Sequence, residues 1–467
     1  MKPAGRAVVV GGGIAGLSAA FDLRRAGWAV SVHEATDRWG GKILTSAVGD
    51  RPVDSGPDTF LARAEAGLRL CTDLRLDGEL TSPVSPVPAY VVGGGQLHPL
   101  PPGSMLGVPT DLDSLASSGL ISPDGVAAAS RDLELPATPI DGDISVGELC
   151  RARLGGEVTD RLIDPLLGGI NASDIDRLSL RAGAPLLAAA VERSPSLIEG
   201  LRALRPTSGP TLGTAKDEPV FFGLPGGISR IIDALVDALT APQAGSQDCG
   251  PPASLHLRSS LSSLADAGKI GEAGEADAVI VATPADTAAS LLRPVNPDAA
   301  DELATIDYAS VAQVTVELPV AALERELDAS GILFPRVDGT IITACTWFST
   351  KWAHYKRQGT VLLRLTSGRF GDDRPATLTD DELATTLLDE LRTVIPIHGE
   401  PTATRVHRWK RAFPQYTPGH GARVDRIDAA VAAGTPHVQL AGAAYRGIGI
   451  PACIDGGRQA AAAALAR

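Results

Sequence analysis

Cysteine is scarce and scattered in this chain. The five cysteines (Cys71, Cys150, Cys249, Cys345, Cys453) are odd in number and form no CxxC pair. That argues against a disulfide framework or a zinc site and fits a reducing compartment. The eight histidines show no HxH or HxxxH spacing, so no metal centre is assigned. Basic charge is in deficit: 42 lysines and arginines against 55 aspartates and glutamates leave a formal net charge of −13. With no basic field to gather phosphates, a nucleic-acid role is excluded. Anionic small molecules stay open, because they respond to local charge in a cleft. Long apolar runs are missing too. No stretch approaches the roughly 20 consecutive apolar residues of a membrane span, and the longest candidate, AGAPLLAAAV, is flanked by Arg181, Glu192 and Arg193. No secretory signal is in view ahead of the first strand-like run. These absences predict a cytoplasmic protein with at most peripheral membrane contact, and 467 residues are enough for two or more domains.

What is present begins at once. VVVGGGIAG is an apolar, β-branched run followed by Gly11, Gly13 and Gly16 in GxGxxG spacing, and it opens a helical stretch through Arg25. Glu34 closes a second strand-like run, AVSVH, 18 residues past Gly16. Each part has a physical task. Gly11 allows the tight turn, Gly13 lets backbone approach a pyrophosphate, and Gly16 lets helix and strand pack closely. The helix N-terminus offers N–H groups to phosphate, and the acid holds a ribose hydroxyl. A second glycine pair, Gly40 and Gly41, arrives with Lys42 just after the acid. An NAD dehydrogenase has no need of this element, so FAD is favoured over NAD.

The organisation along the chain is interleaved. Residues 1–85, 215–290 and 405–467 are expected to form a discontinuous FAD-binding domain. Residues 86–109 and 291–404 are expected to form a substrate-binding domain, and 110–214 a helical subdomain broken at Pro123, Pro136, Pro165 and Pro185. The fold class is therefore α/β: a Rossmann-like FAD-binding domain interleaved with a mixed-sheet substrate domain and a helical subdomain. SLHLRSSLSSL and DAVIVATPA are expected as strands, and residues 243–252 as a mobile loop. Near the C-terminus a strand (438–441), a turn carrying Gly442, Gly447 and Gly449, and a closing helix would aim a second helix N-terminus at the cofactor.

Several segments together resemble the protoporphyrinogen/coproporphyrinogen oxidase family of the amine oxidase superfamily, over nearly the whole length. VVVGGGIAGLSAAFDL, GGKILT and DAVIVATPA are shared across that superfamily. IDPLLGGINASDIDRLSL, HRWKRAFPQYTPGH and AGAAYRGIGIPACIDGGRQAA are more specific. The resemblance implies FAD contacts from Gly11, Gly12, Gly13, Ile14, Ala15, Gly16, Glu34, Ala35, Gly41 and Lys42, and from the turn Gly56, Pro57, Asp58, Thr59. It places Leu261 on the adenine side, Trp409 near the flavin, and Ile448, Gly449 and Ile450 by the ring. Gly168, Gly169, Ile170 and Asn171 match the segment that borders the substrate opposite the flavin. One departure stands out: between SLSSL and DAVIVATP the family carries another strand, where this chain has only the short, polar ADAGKIGEAGEA.

The implied chemistry is oxidation of a porphyrinogen to a porphyrin. Three hydrides pass to flavin N5, and O2 reoxidises the cofactor to give H2O2. The protein's part is to hold a meso C–H about 3–3.5 Å from the flavin, so no catalytic acid or base is named. Coproporphyrinogen III carries four propionates, whereas protoporphyrinogen IX carries two. Arg63, and the basic run Arg405, His407, Arg408, Lys410 and Arg411, are candidates for those carboxylates. The absence of a membrane element, and an arginine-rich, lysine-poor composition like that of a high-GC bacterium, favour the coproporphyrinogen enzyme of haem biosynthesis over a protoporphyrinogen IX oxidase. Two further readings remain. A flavin amine oxidase would need an aromatic cage, to which Trp409 and Tyr445 could contribute although aromatics are only 4% of the chain. A non-catalytic porphyrin-binding flavoprotein would hold FAD without turnover. Oligomeric state is not legible.

Overall fold

The computed structural model describes residues 3–84, 89–204, 219–242, 249–264 and 276–467. The first apolar run forms β1 (Arg6–Val10) and the second β2 (Ala29–His33). β3 (Thr45–Val48) and β4 (Arg51–Asp54) make a separate hairpin, and β5 (Phe60–Leu61) precedes a second hairpin of β6 (Ala89–Gly93) and β7 (Gln96–Pro99). β8 (Phe221–Phe222) pairs back to β5, and β9 (Ser254–His256) and β10 (Ala278–Val281) follow. β11 (Tyr308–Pro319), β12 (Gly331–Leu333), β13 (Ile342–Trp347), β14 (Thr360–Ser367) and β15 (Ala403–Pro414) come next, and β16 (Val438–Leu440) is the last.

Five of these strands make a parallel sheet in the order β16-β10-β1-β2-β9. β10 is buried at every residue, as expected of a strand covered by helices on both faces. One face packs on the helices Ile14–Arg25, Ser229–Thr240 and Ile450–Leu465. The first and last of these cross tightly: a Cβ at Gly457 would lie 2.1 Å from the Ala15 carbonyl oxygen.

The second sheet has seven strands in the order β15-β11-β14-β13-β12-β6-β7, antiparallel except for the β12–β6 pair. It buries an apolar face against the helix Asp380–Arg392, whose start is fixed by a reciprocal capping box between Thr379 and Glu382. The helical subdomain packs around its own core of leucines, isoleucines and valines. The expected α/β class, with a dinucleotide sheet, a mixed sheet and a helical part interleaved along the chain, is what is found.

Three local expectations need correction. The boundary at 405 falls inside β15, which pairs along its length with β11, so residues 403–414 belong with the second sheet. Only Ser254–His256 of SLHLRSSLSSL is strand; from Arg258, with φ +53°, the chain turns to meet Thr36 and Glu34. Pro123 and Pro185 do sit at helix starts, but Pro165 breaks nothing. It lies inside a wide helical run, Thr159–Gly168, whose hydrogen bonds reach back five residues and leave room for a residue without an N–H. Residues 243–248 of the expected loop, and 265–275 where the family strand is missing, lie outside the described residues. The loop's described end is held: Gly250 N donates to the Arg24 carbonyl, and the Pro251 carbonyl accepts from Arg24 Nε.

Candidate active site

The glycine loop between β1 and its helix has the geometry that its spacing predicts. Gly11 sits at φ +110°, and a Cβ there would lie 2.5 Å from the Ala282 carbonyl oxygen. A Cβ at Gly16 would lie 2.0 Å from the Gly11 carbonyl oxygen, whereas one at Gly13 would meet nothing within 4 Å. Gly11 and Gly16 are thus glycines because the protein crowds them. Gly13 faces open space, where a phosphate can approach. Glu34 accepts from Gly12 N at 2.8 Å through one oxygen, and from Thr36 N and Oγ1 through the other. The acid is therefore aimed before any ribose arrives. Ala35 beside it is exposed, and Leu261 lies two residues beyond Ser259, whose N–H holds the Glu34 carbonyl.

The second glycine pair docks on this loop. Gly40 N donates to the Gly12 carbonyl at 2.8 Å, and a Cβ at Gly41, at φ +57°, would lie 3.2 Å from the Gly13 Cα. Arg38, which sequence reasoning passed over, holds this turn. Its guanidinium donates to the carbonyls of Trp39, Gly41 and Ile43 and lies 5.8 Å over the Trp409 ring. Trp39, also passed over, covers Gly12. The signal for both was the DRWGGK string itself. Lys42 is mostly buried, which lowers its pKa, and it has no hydrogen-bond acceptor among the described residues; its ammonium sits 5.6 Å over the Tyr308 ring.

The C-terminal turn closes the same space. Gly442 at φ +120° faces no atom within 4 Å. The Tyr416 hydroxyl stitches the turn, accepting from Gly447 N at 2.9 Å and donating to the Ala443 carbonyl at 2.6 Å. His420 stacks on Tyr416 at 3.9 Å, and its Nε2 bonds the Tyr445 carbonyl. Burial pushes its pKa down to about 4. The last helix begins at Gly449, the first at Gly13, and neither N-cap carries a side-chain cap. Two uncapped helix N-termini, the Lys42 ammonium with no hydrogen-bond acceptor among the described residues, and open glycine faces converge here. They fit an anionic dinucleotide.

The turn at 56–59 behaves differently from expectation. The Asp58 carboxylate is committed elsewhere, accepting from Lys351 Nζ at 2.7 Å, Arg364 Nη2 at 2.8 Å and Trp352 Nε1 at 3.1 Å. Burial opposes its charge, yet the two cations hold its pKa far below the ordinary carboxylate value. The backbone of this turn and the half-buried Thr59 are left for a cofactor. Gly56 packs against the Lys42 carbonyl and the Trp409 ring.

The segment expected on the substrate side, residues 168–171, ends the wide helix. Gly169 faces open space and Ile170 is 52% exposed. Asn171 Nδ2 turns back to the Leu167 carbonyl, and Ala172 takes φ +46°, an uncommon conformation for a residue with a side chain. Three contacts brace the segment from outside it: Phe370 N to the Ala172 carbonyl, Arg336 to the Ser173 carbonyl, and a loose buried pair of Arg369 and Asp164 at 3.5 Å. Ala172 packs with Ala309, Val311, Phe370, Trp409 and Phe413, so the substrate segment and Trp409 share one apolar cluster.

The basic candidates separate. Arg405 turns inward to the carbonyls of Ser46, Val53 and Asp54. Arg408 binds Asp380 and two carbonyls at the start of the helix Asp380–Arg392, and Arg411 pairs with Asp286. His407 packs on Trp409 at 4.2 Å. These four are occupied as structural donors or packing, which corrects their candidacy for substrate carboxylates. Lys410 and Arg63 are exposed and carry no ion pair among the described residues. Tyr445 is buried in the cluster that holds Val8, Val10, Val424 and Val438, whereas Trp409 packs on the cluster of Ala172, Ala309 and Val311. No group of three or more potential metal ligands occurs among the described residues.

Residues 14–465 match the sequence model of the family described as flavin containing amine oxidoreductase. The chain is 34% identical over 471 residues to coproporphyrinogen III oxidase of Bacillus subtilis (strain 168), covering 98% of this chain and 97% of that one. It is also 34% identical to coproporphyrinogen III oxidase of Propionibacterium freudenreichii subsp. freudenreichii, covering 97% and 89%. A solved structure from Exiguobacterium sp. 255-15, described only provisionally as a protoporphyrinogen oxidase, superposes with a TM-score of 0.83 at 29% identity, covering 99% of each chain.

Proposed function

The chain belongs to the family of flavin containing amine oxidoreductases, and from that premise we propose that it oxidises coproporphyrinogen III to coproporphyrin III. FAD is its cofactor, and the protein is an oxidoreductase. The observation that carries the substrate is the pair of relatives named for coproporphyrinogen III, each 34% identical over nearly the full chain. When bound, FAD would supply the hydride acceptor for this oxidation, with O2 as the terminal oxidant.

This chain's own residues bind, orient and exclude water. Gly13 and the uncapped end of the first helix would hold the pyrophosphate, Glu34 a ribose hydroxyl, and the uncapped end of the last helix would face the flavin ring. Lys42 would place positive charge against the cofactor. Residues 168–171 would form the opposing wall: Gly169 presents no side chain there, and Ile170 supplies an exposed apolar surface for the macrocycle. No titratable side chain projects from that wall, so orientation is the protein's main contribution. Arg63 is the candidate for a propionate, since it is exposed and has no ion-pair partner among the described residues. The amine oxidase reading loses support because Tyr445 is buried in the core rather than exposed to line a cage.

The test is aerobic turnover of the purified yellow holoprotein with coproporphyrinogen III, protoporphyrinogen IX and a primary amine in parallel, following porphyrin fluorescence and peroxide. Preference for the four-propionate substrate is expected. Turnover of the amine alone would replace this reading, and preference for protoporphyrinogen IX would correct the substrate.

A further inference from the structure

Residues 53–56 run from the end of β4 into the 56–59 turn, and four successive backbone carbonyls along them are taken by side chains of the second sheet. Arg405 donates to the Val53 carbonyl at 3.0 Å and to the Asp54 carbonyl at 3.4 Å. Trp409 Nε1 donates to the Ser55 carbonyl at 2.5 Å, and Arg364 Nη1 to the Gly56 carbonyl at 2.8 Å. The donors stand on β14 and β15, between 308 and 354 residues away in sequence. Three side chains thus bind carbonyls along the end of β4 and the turn that follows it, beyond the pairing that β3 supplies.

Arg364 is the last rung and differs from the others. Its second arm holds the Asp58 carboxylate at 2.8 Å, so one planar fork spans both ends of the turn. The guanidinium is 8% exposed and lies 4.7 Å over the Phe348 ring. On the turn, the N–H groups of Gly56, Asp58 and Thr59 find no acceptor among the described residues. The carbonyls are pulled toward the second sheet, and the donors are left unspent.

We propose that Arg364 is a positioning residue for the flavin: by bridging the Gly56 carbonyl and the Asp58 carboxylate it fixes the turn whose unspent N–H groups serve the cofactor. A lysine offers one point charge where the fork makes two directed bonds, so arginine and lysine differ at this position. Strand β15 extends the same device. Beyond Trp409 it runs to Pro414, and Gln415, the next residue, brings its Nε2 to 3.5 Å from the Asn171 carbonyl. One strand therefore links the flavin-edge turn and the substrate-side segment. The inference rests on the assignment of residues 56–59 to FAD and is independent of which substrate is oxidised.

The experiment compares holoprotein of the wild type, Arg364→Gln and Arg364→Lys. The readouts are the FAD dissociation constant from released flavin fluorescence, the visible spectrum and the midpoint potential. Arg364→Gln is expected to weaken FAD at least tenfold and alter the spectrum, with Arg364→Lys between it and the wild type. If the loss falls tenfold harder on the reduced cofactor, the potential drops by about 30 mV. A folded Arg364→Gln protein with wild-type affinity, spectrum and potential overturns the proposal. Should Arg364→Gln fail to fold, Arg364→Lys decides on the same readouts, since it keeps the charge and loses only the fork. Failure of the substrate reading would appear separately, as a normal flavin that no porphyrinogen reduces.

Discussion

At the five-stranded sheet the site is made of side chains that are missing, and at the seven-stranded sheet of side chains that reach a long way. Gly11, Gly13, Gly16, Gly41 and Gly442 leave room for a cofactor or for the backbone that surrounds it. Gly13 and Gly442 face open space, and Gly11, Gly16 and Gly41 sit against the backbone of their own turn or of one beside it. On the other sheet Arg364, Arg405 and Trp409 cross to carbonyls more than 300 residues away. The difference teaches where to look for tolerance. A glycine turn fails by steric occlusion when anything is added. The side-chain ladder fails by loss of a donor, and leaves buried carbonyls unpaired at about 1–3 kcal/mol each.

The comparison breaks most sharply at Gly13. Gly13→Val adds atoms only where open space now lies, so the apoprotein should fold with wild-type circular dichroism while FAD affinity falls by about a hundredfold or more. Gly16→Val, whose Cβ collides with the Gly11 carbonyl oxygen at 2.0 Å, should fail to fold at all. Equal folding of the two proteins would contradict the distinct roles given to these glycines.

Next comes the brace behind the substrate segment. Arg369→Met leaves Asp164 buried with its loose partner gone, which should cost about 3 kcal/mol in urea melts. In the variant that still folds, KM for the porphyrinogen should rise more than kcat falls, with FAD affinity unchanged. A loss of FAD with an unaltered KM would place this brace on the wrong side of the site.

His420 gives a pH test of the C-terminal turn. Its folded pKa, about 4 through burial, lies below the unfolded value of 6.5. Stability from the neutral ring is therefore present above about pH 6.5 and lost as pH falls through about 4, on the order of 3 kcal/mol in all. Asp54, raised to about 6 by burial, acts in the opposite sense: its contribution is present below 3.8 and lost as pH rises through 6. The wild type minus His420→Gln difference in melting free energy isolates the histidine. A difference that does not change between pH 7 and pH 4 would remove it as an acid-sensitive point.

The smallest effect is expected at Arg408. Its partners are Asp380 and the Pro375 and Leu378 carbonyls, so Arg408→Met should cost about 1 kcal/mol or less of stability and leave the choice between porphyrinogens untouched. A change in that choice would restore the basic run as a propionate site.

The legibility of the sequence follows the same division. Gly11 to Glu34 could be understood without a structure, because every part of that site lies within one βαβ unit and its spacing is the chemistry. The occupied state of Asp58 was invisible, since its partners Lys351 and Arg364 are named by no local pattern. The basic run misled for a related reason. Arg405, Arg408 and Arg411 are near one another in sequence, but alternation along β15 and a bulge opposite Val311 send them to different partners. Pro165 misled because a wide helical turn removes the clash that makes proline a breaker. Arg38 could have been found: an arginine two residues before a glycine pair is well placed to chelate the turn's carbonyls.

The most direct test of the central claim is an anaerobic titration of the holoenzyme with coproporphyrinogen III, following flavin bleaching and porphyrin formation together. Six electrons leave the macrocycle, so each porphyrinogen should bleach three flavins and yield one coproporphyrin III. A flavin that coproporphyrinogen III leaves oxidised, while a primary amine bleaches it, would contradict the account.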